Sequence, residues 1–196
     1  MNKEQIQQRV LYYGEPLDLN KFEWDESTNT FSSSENNLVL DFSDMDYCTF
    51  NTGSNCTFNT GSNCTFNTDS YCIFNTGSNC TFNTGFDCTF RTGSYCIFKT
   101  GPYCIFKTGS NCTFNTDSNC TFNTGSNCTF NTGFDCVVVR RDIHEVIELE
   151  GGKEIKLNGY GVKGYTEVNN KKSELLKKAD ELISKAQELR DEANKL

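Results

Sequence analysis

The chain has 196 residues and a formal net charge of −8 at pH 7; this length suits one or two ordinary domains, and the charge excludes the basic footprint of a nucleic-acid-binding protein. Sixteen phenylalanines and twelve cysteines must supply most of any hydrophobic core, because Leu, Ile and Val are scarce. No stretch approaches the roughly 20 apolar residues of a membrane span, and the N-terminus lacks the basic start and apolar run of a signal peptide, so we expect a cytoplasmic protein of a reducing compartment that contacts neither membrane nor nucleic acid.

Residues 1–39 contain no repeat and are predicted to form an N-terminal cap. Residues 1–47 hold ten acidic and three basic residues, so most of the negative charge lies at this end. Aromatic residues are frequent between Tyr12 and Phe31. An uncapped solenoid would expose unpaired backbone at its end and stack on other copies, which is the reason to expect a cap here.

Residues 40–143 form a tandem array of octapeptides. Twelve octads begin with Cys, from CTFNTGSN at Cys48 to CVVVRRDI at Cys136, and a degenerate octad that starts at Leu40 precedes them. In each octad Cys-Thr-Phe-Asn alternates apolar and polar residues, as in a strand with one buried face, and Thr-Gly-Ser-Asn is typical of a turn. In the octads that start at residues 48 through 128, the sixth position holds Gly, or Asp in Asp69 and Asp117, which predicts a left-handed bend there.

Short strands of this kind bury their apolar face only when coils stack in register. The pattern predicts an all-β solenoid with two octads per coil and two parallel sheets, in which each Cys faces a Phe of the opposite strand and the core keeps a constant width. A triangular coil of three octads is the alternative. The predicted core residues are Cys48, Phe50, Cys56, Phe58, Cys64, Phe66, Cys72, Phe74, Cys80, Phe82, Cys88, Phe90, Cys96, Phe98, Cys104, Phe106, Cys112, Phe114, Cys120, Phe122, Cys128 and Phe130.

The regular cysteines allow several chemical roles. A disulfide needs Cα atoms about 4.4–6.8 Å apart, whereas two sheets packed face to face lie about 10 Å apart, which disfavours a bridge such as Cys48–Cys56. Zinc sites usually cluster their ligands at short spacing, and no CxxC pair occurs. A catalytic thiol needs a basic partner, and the single histidine, His144, lies outside the repeat. Reduced cysteines that pack in the core are the favoured interpretation.

The unit Cys-Thr-Phe-Asn-Thr resembles that of pentapeptide-repeat proteins, in which a large apolar residue and a small residue two places before it fill a right-handed β-helix. Gly-Ser-Asn extends every unit here, so the four-sided coil of that family does not carry over. The whole octad, in its CTFNTG and CIFKTG forms, also looks like tandem repeats in proteins of giant amoeba-infecting viruses over roughly residues 40–165. This second resemblance implies no activity; for a viral protein it implies the host cytoplasm or the virion.

Two further segments follow the array. Residues 144–168 are predicted to form a C-terminal β cap, in which IELE-GG-KEIKL is typical of a hairpin. Residues 169–196 are predicted to form an amphipathic α-helix, because leucines recur every seven residues from Leu175 to Leu196 with alanines between them. This helix either oligomerises as a coiled coil or packs against the solenoid. Its composition is almost confined to strong helix formers, which is also typical of an engineered segment.

The outward residues suggest where a partner binds. Thr and Asn form ladders on both faces, and identical side chains stacked at the strand spacing can hydrogen-bond along the rod. Arg91, Lys99 and Lys107 occupy the same position in three consecutive octads, which makes them candidate interaction residues.

We therefore expect a non-enzymatic structural scaffold or protein-interaction module, with no catalytic residue, cofactor or metal. Its partner would be another protein, together with self-association through the terminal helix. One alternative is a binder of periodic surfaces such as ice that uses the Thr-x-Asn ladders. Another is a nucleic-acid-mimicking inhibitor of a DNA enzyme, since pentapeptide-repeat proteins include acidic mimics that bind topoisomerases.

Overall fold

A computed structural model describes residues 1–168, 178, 179, 181–185, 187 and 190. The repeats wind into a β-solenoid of about seven turns with two parallel sheets. Consecutive octads alternate between the sheets, and hydrogen-bonded neighbours within a sheet are two octads apart, as in the pair Phe82–Phe98. The prediction of two octads per coil is confirmed.

Within the described residues, each sheet has ten strands. In chain order, sheet A contains β1 (Val10–Tyr12), β2 (Glu15–Pro16), β5 (Leu38–Phe42), β7 (Thr57–Thr60), β9 (Ile73–Asn75), β11 (Thr89–Arg91), β13 (Ile105–Lys107), β15 (Thr121–Thr124), β17 (Cys136–Arg140) and β18 (Glu145–Leu149). Sheet B contains β3 (Glu23–Asp25), β4 (Thr30–Ser32), β6 (Thr49–Thr52), β8 (Thr65–Thr68), β10 (Thr81–Thr84), β12 (Ile97–Thr100), β14 (Thr113–Thr116), β16 (Thr129–Asn131), β19 (Glu154–Leu157) and β20 (Tyr165–Glu167).

Seven strands of each sheet are parallel, and antiparallel strands close both ends. In sheet A the parallel strands run from β5 to β17 and in sheet B from β4 to β16. Strands β1 and β2 extend sheet A at one end and β18 at the other, while β3, β19 and β20 do the same for sheet B. Of the outermost strands, β2, β3 and β20 have only two or three residues, all four carry acidic residues, and β2 also contains a proline. These features discourage pairing with another chain.

A zigzag of phenylalanine rings fills the middle of the solenoid. Phe82 stacks on Phe98, one coil away in the same sheet, with ring centroids 4.9 Å apart and an interplanar angle of 3°. Phe82 also meets Phe90 of the opposite sheet edge-on, with centroids 5.2 Å apart and an angle of 78°. Stacked and edge-to-face contacts are the two arrangements that the ring quadrupole favours. The same alternation continues from Phe42 to Phe130.

The prediction that each Cys faces a Phe of the opposite strand is therefore wrong. The inward face has three positions instead of two, because the fifth residue of the octad also points inward, as the buried Thr100 and Thr108 show. When two such strands face each other in opposite directions, the central Phe meets Phe and the first residue meets the fifth. Accordingly, the thiol of Cys104 contacts the hydroxyl of Thr100.

The cysteines form two columns along the rod, one on each wall. All twelve are buried and free, and each column neighbour lies sixteen residues away, as Cys96 and Cys128 do on either side of Cys112. The thiols donate weak hydrogen bonds to turn carbonyls; Cys80 Sγ lies 3.6 Å from the Ser78 oxygen and 3.8 Å from that of Gly61.

The left-handed residue of each turn is the eighth, so the prediction of a left-handed bend at the sixth position is wrong. Along the array the eighth residue has φ between 53° and 63°. Most of these residues are Asn or Asp, which tolerate this region better than other side chains, but four are tyrosines: Tyr47, Tyr71, Tyr95 and Tyr103.

Glycine is favoured at the sixth position because a larger residue would clash with the neighbouring coil. The N–H of Ser78 donates to Ser62 Oγ one coil away at 3.1 Å, and that of Ser94 donates to Ser78 Oγ at 3.1 Å. A Cβ on Gly77 would overlap the Ser62 hydroxyl. The glycine therefore permits a rail of serine hydrogen bonds along the turn.

The N-terminal segment covers one end of the core. Helix α1 (Lys3–Gln7) begins with a capping box, in which Asn2 Oδ1 accepts the Gln5 N–H and Gln5 Oε1 accepts the Asn2 N–H, both at 3.0 Å. Ile6 of this helix is buried. The 3₁₀ turn Leu19–Lys21 leads to Phe22, which stacks on Phe31 with ring centroids 5.3 Å apart.

At the other end, the strands predicted to form a hairpin across Gly151 and Gly152 belong to different sheets. Strand β18 pairs antiparallel with β17, and β19 pairs antiparallel with β16 and β20. The two glycines therefore sit in a link between sheets, and the hairpins are β17–β18 and β19–β20. Beyond residue 168, the described residues of the terminal segment are helical and exposed, with Leu182 69 % accessible.

Candidate interaction surfaces

The three predicted interaction residues lie on two opposite faces. Arg91 and Lys107 are register partners on β11 and β13 of sheet A. Lys99 lies on β12 of sheet B, between Asn83 and Asn115. The structure thus brings two of the three side chains together and separates the third.

The outward asparagines form ladders over part of the rod. Asn67 Nδ2 donates to Asn51 Oδ1 at 2.9 Å in sheet B, and Asn75 Nδ2 donates to Asn59 Oδ1 at 3.1 Å in sheet A. Arg91, Lys99 and Lys107 interrupt these ladders where they replace asparagine. The ladders bind neighbouring coils to each other and stiffen the faces.

One edge of the solenoid, where sheet B strands lead into sheet A strands, combines aromatic and acidic side chains. We call it the acidic aromatic edge. Its members are Tyr71, Phe86, Tyr103 and Phe134 together with Asp69, Asp87, Asp117 and Asp135, all exposed. The rings of Tyr71 and Phe86 meet edge-on with centroids 5.0 Å apart, and Phe134 is 70 % accessible. Ile73 and Ile105, two residues after the tyrosines, extend this apolar surface onto sheet A.

The opposite edge has a basic cleft. Its volume is about 320 Å³, and Thr76, Arg91, Thr92, Gly93, Lys107 and Arg141 line it. Arg141 was not predicted, because its proximity depends on a side chain that reaches back over two coils. The period of the repeat does not predict how far, or in which direction, the Arg141 side chain extends.

A second open groove, of about 720 Å³, lies beside the N-terminal cap. Amide and hydroxyl side chains dominate its wall, among them Asn20, Ser33, Asn51 and Asn67. Neither cavity brings a histidine or a cysteine to its wall.

A buried ion pair fixes the C-terminal end. Arg140 is completely buried; its Nη2 lies 2.6 Å from Asp142 Oδ2, and its Nη1 donates to the Val162 carbonyl at 2.5 Å. Burial opposes ionisation of Asp142, but hydrogen bonds from Arg140 and from the Gly161 N–H outweigh it and lower the pKa of that carboxyl. This network ties the loop before β20 to the last coil.

Comparison of the chain with protein-family models, curated proteins and solved structures found no match. Within the described residues, no group of three or more His, Cys, Asp or Glu side chains is arranged to hold a metal ion. None of the helices in the described part of the chain is long and apolar enough to cross a membrane.

Proposed function

We propose that the protein is a non-enzymatic scaffold whose acidic aromatic edge binds a protein segment with basic and apolar side chains. The observation that carries this proposal is the placement of exposed rings and carboxylates along a single edge. Contiguous exposed apolar surface is uncommon on soluble proteins and usually marks an interaction site.

The geometry of the coil gives this edge a regular spacing. Successive coils lie about 4.8 Å apart, so Phe86 and Tyr103 project from neighbouring levels of one stiff wall. Aromatic side chains dominate the energetics of protein interfaces, and a rigid wall presents them without the entropic cost of ordering a flexible backbone.

Charge decides between the classes of partner. The turns of this edge between residues 53 and 135 contain Asp69, Asp87, Asp117 and Asp135 and no Lys or Arg. A second copy of the same edge would bring carboxylates against carboxylates, whereas a basic segment would neutralise them. The edge therefore favours a basic partner over self-association.

Selection from a random displayed-peptide library tests this proposal. We expect the selected peptides to combine Lys or Arg with aromatic or aliphatic residues and to bind less tightly as salt increases. The double variant Phe86→Ser/Tyr103→Ser should lose this binding. Tyr95→Ser, at the same octad position as Tyr103 but on the opposite edge, is the matched control and should retain it.

Selected peptides without basic residues, or equal binding by the Phe86→Ser/Tyr103→Ser variant, would refute the proposal. Thermal unfolding of both variants checks the fold. The unfolding temperature of Tyr95→Ser should stay close to that of the parent protein, because its side chain is exposed. That of the double variant should fall by only a few degrees, because it loses the ring contact between Phe86 and Tyr71.

A second proposal concerns the terminal helix, which we infer associates with a second copy. The exposure of Leu182 and Ile183 in the described residues favours this, because leucines at heptad spacing need a partner helix. The measured mass in solution should fall from an oligomer to a monomer when residues 170–196 are removed. An unchanged mass would reject the idea.

The polar face of sheet B supports a surface-binding alternative. Its outer row contains Thr49, Thr65 and Thr81 in register before Ile97 interrupts it. A thermal-hysteresis assay tests for ice binding, and Thr65→Tyr should abolish any activity found. Inhibition of a DNA enzyme stays a prediction that a topoisomerase assay checks.

A further inference from the structure

The geometry points to a phosphate-binding site in the basic cleft, formed by Arg91, Lys107 and Arg141. This site goes beyond the proposed scaffold function. It lies on the edge opposite the acidic aromatic edge and would take a small ligand that carries a phosphate group.

Two of the three cations are adjacent because of strand register. Arg91 and Lys107 are partners on β11 and β13, so their Cα atoms are about 4.8 Å apart and their side chains leave the sheet in the same direction. Two like charges this close repel each other, and a bound anion relieves that repulsion.

Part of the sheet A wall is open at the cleft. Strands β9, β11 and β13 end at the fourth residue of their octads, whereas β7 and β15 continue to the fifth. Thr76 and Thr92, the residues that follow β9 and β11, are partly exposed, whereas Thr60 and Thr124 at the same position of other sheet A octads are buried. The wall is therefore open beside Arg91, whereas Thr108, which follows Lys107 and accepts the Arg141 hydrogen bond, is buried.

Arg141 closes the cleft from the C-terminal side. Its backbone N–H bonds the Thr124 carbonyl, which places it at the end of the solenoid, yet its Nη2 donates to the Thr108 carbonyl one coil further back. That hydrogen bond holds the guanidinium next to Lys107 and leaves its other N–H groups free to face the cleft. A positioned guanidinium offers a planar pair of donors that matches two phosphate oxygens.

The described structure provides no counter-charge for these cations. Within the described residues, no carboxylate lies within 4.0 Å of Arg91, Lys107 or Arg141. The acids nearest to Arg141 along the chain, Asp142 and Glu145, bind Arg140 instead. These three side chains concentrate positive charge around a concave surface, although the chain as a whole has a net charge of −8. A bound phosphate dianion would neutralise that charge.

Titration of the full chain with inorganic phosphate at low ionic strength tests the site. The Nε–H resonances of Arg91 and Arg141, with the amides of Thr92 and Gly93, should shift together and saturate. We expect Arg91→Gln, Lys107→Gln and Arg141→Gln each to weaken binding by about tenfold, since each removes a charge-assisted contact. Arg141→Lys should show an intermediate loss, because it keeps the charge and removes the fork.

Lys99→Gln is the matched control. It removes the same charge at the same octad position on the opposite face, so phosphate affinity should change by less than about twofold at moderate ionic strength. No saturable shift at Arg91 and Arg141, or equal losses in Lys99→Gln and Arg141→Gln, would overturn the site.

Sedimentation with vesicles identifies the source of the phosphate group. Vesicles that contain phosphatidic acid should leave the protein in solution if the ligand is a free phosphate compound. Binding to these vesicles that Arg141→Gln abolishes would assign the same site to a lipid headgroup. Peptide binding at the acidic aromatic edge should be unchanged in all these variants, so the two proposals fail independently.

Discussion

Cysteine at the first octad position satisfies two demands of the core. The side chain must be small, because a Thr from the opposite wall shares its layer, and it must tolerate turn carbonyls on one side, as Cys80 does with Ser78 and Gly61. A thiol behaves as a small hydrophobic group with a weak donor, so it meets both demands.

The raised pKa of the buried Cys112 thiol predicts that this residue costs the protein stability at alkaline pH. The adjoining Cys128 thiol, followed by burial, raises the pKa of Cys112 from 9.0 to about 11. Below pH 9 both folded and unfolded chains keep this proton. Between the two pKa values only the folded chain keeps it, so the contribution of Cys112 to the free energy of unfolding falls as pH rises, by at most about 1.4 kcal/mol per pH unit.

Urea unfolding in reductant at several pH values from 8 to 11 measures this loss. Cys112→Ala should reduce the slope against pH, and an unchanged or rising stability would contradict the assignment. As a check on the redox state, thiol labelling after denaturation without reductant should recover all twelve cysteines.

The tyrosines at the left-handed position predict a stabilising substitution. Tyr95 has φ 62°, whereas Asn79 and Asn111 hold the same position on the coils before and after it. Because Asn tolerates this region better than an aromatic residue, Tyr95→Asn should raise the free energy of unfolding by roughly 0.5–1 kcal/mol.

Tyr71→Asn is the comparison for this change, again by urea unfolding. Tyr71 has the same backbone conformation, but its ring contacts Phe86, and an aromatic pair contributes about 0.5–1.5 kcal/mol. The gain should therefore be smaller or absent. A loss of stability in Tyr95→Asn would show that its ring makes a contact that outweighs the backbone strain.

At the scale of the element, each octad that starts at residues 48 through 128 contributes a strand whose third residue is a phenylalanine that packs against up to four other phenylalanine rings. Phe98 stacks on Phe82 and Phe114 and meets Phe90 and Phe106 edge-on. Phe98→Ala should lower the free energy of unfolding by about 3–5 kcal/mol. Phe134→Ala, which removes an exposed ring, should cost less than about 0.5 kcal/mol, and similar losses in both variants would contradict the zigzag core.

Some structural features of the octad could be predicted from its sequence and others could not. Alternation in Cys-Thr-Phe-Asn was sufficient to predict the strand and, with the period of eight, the two sheets. The fifth residue was harder, because Thr52 and its equivalents are typical of both turns and β-strands, so hydropathy did not reveal that they point inward. That one residue changes which side chains meet across the core.

In the turn and in the basic cleft, two further features could not be predicted from the sequence. Glycine at the sixth position suggested positive φ, but its true cause is contact with a serine one coil away, which depends on three-dimensional stacking. The two-octad coil was enough to place Arg91 beside Lys107. Arg141 lies beside them because its side chain spans two coils. The spacing of residues in the sequence does not predict this contact.

At the scale of the whole molecule, the coil of sixteen residues governs which changes the chain tolerates. The near-copies 64–87 and 112–135 begin 48 residues apart, which is three whole coils. The second copy therefore returns its acidic and aromatic residues to the same edge, Asp117 as Asp69 and Phe134 as Phe86. Growth by whole coils preserves the acidic aromatic edge.

The coil period predicts that deletion of a whole coil lowers stability less than deletion of a single turn. Removing residues 64–79 deletes one coil and joins Asn63 to Cys80. It stacks Gly85 and Gly93 on Ser54 and Ser62, which repeats the Gly-on-Ser contact of Gly77 with Ser62. Because solenoid stability is roughly a sum over neighbouring units, the variant should unfold cooperatively at a modestly lower temperature and stay as soluble as the parent.

Removing only residues 76–79 deletes one turn, Thr-Gly-Ser-Asn. Strand β9 would then run straight into Cys80, although β9 and β10 belong to sheets about 10 Å apart. The chain cannot cross that gap without residues, so two phenylalanine stacks would separate and expose their ends. We expect a loss of cooperative thermal unfolding by circular dichroism and strong binding of a hydrophobic dye; equal stability of the two deletion variants would show that coil register does not govern the fold.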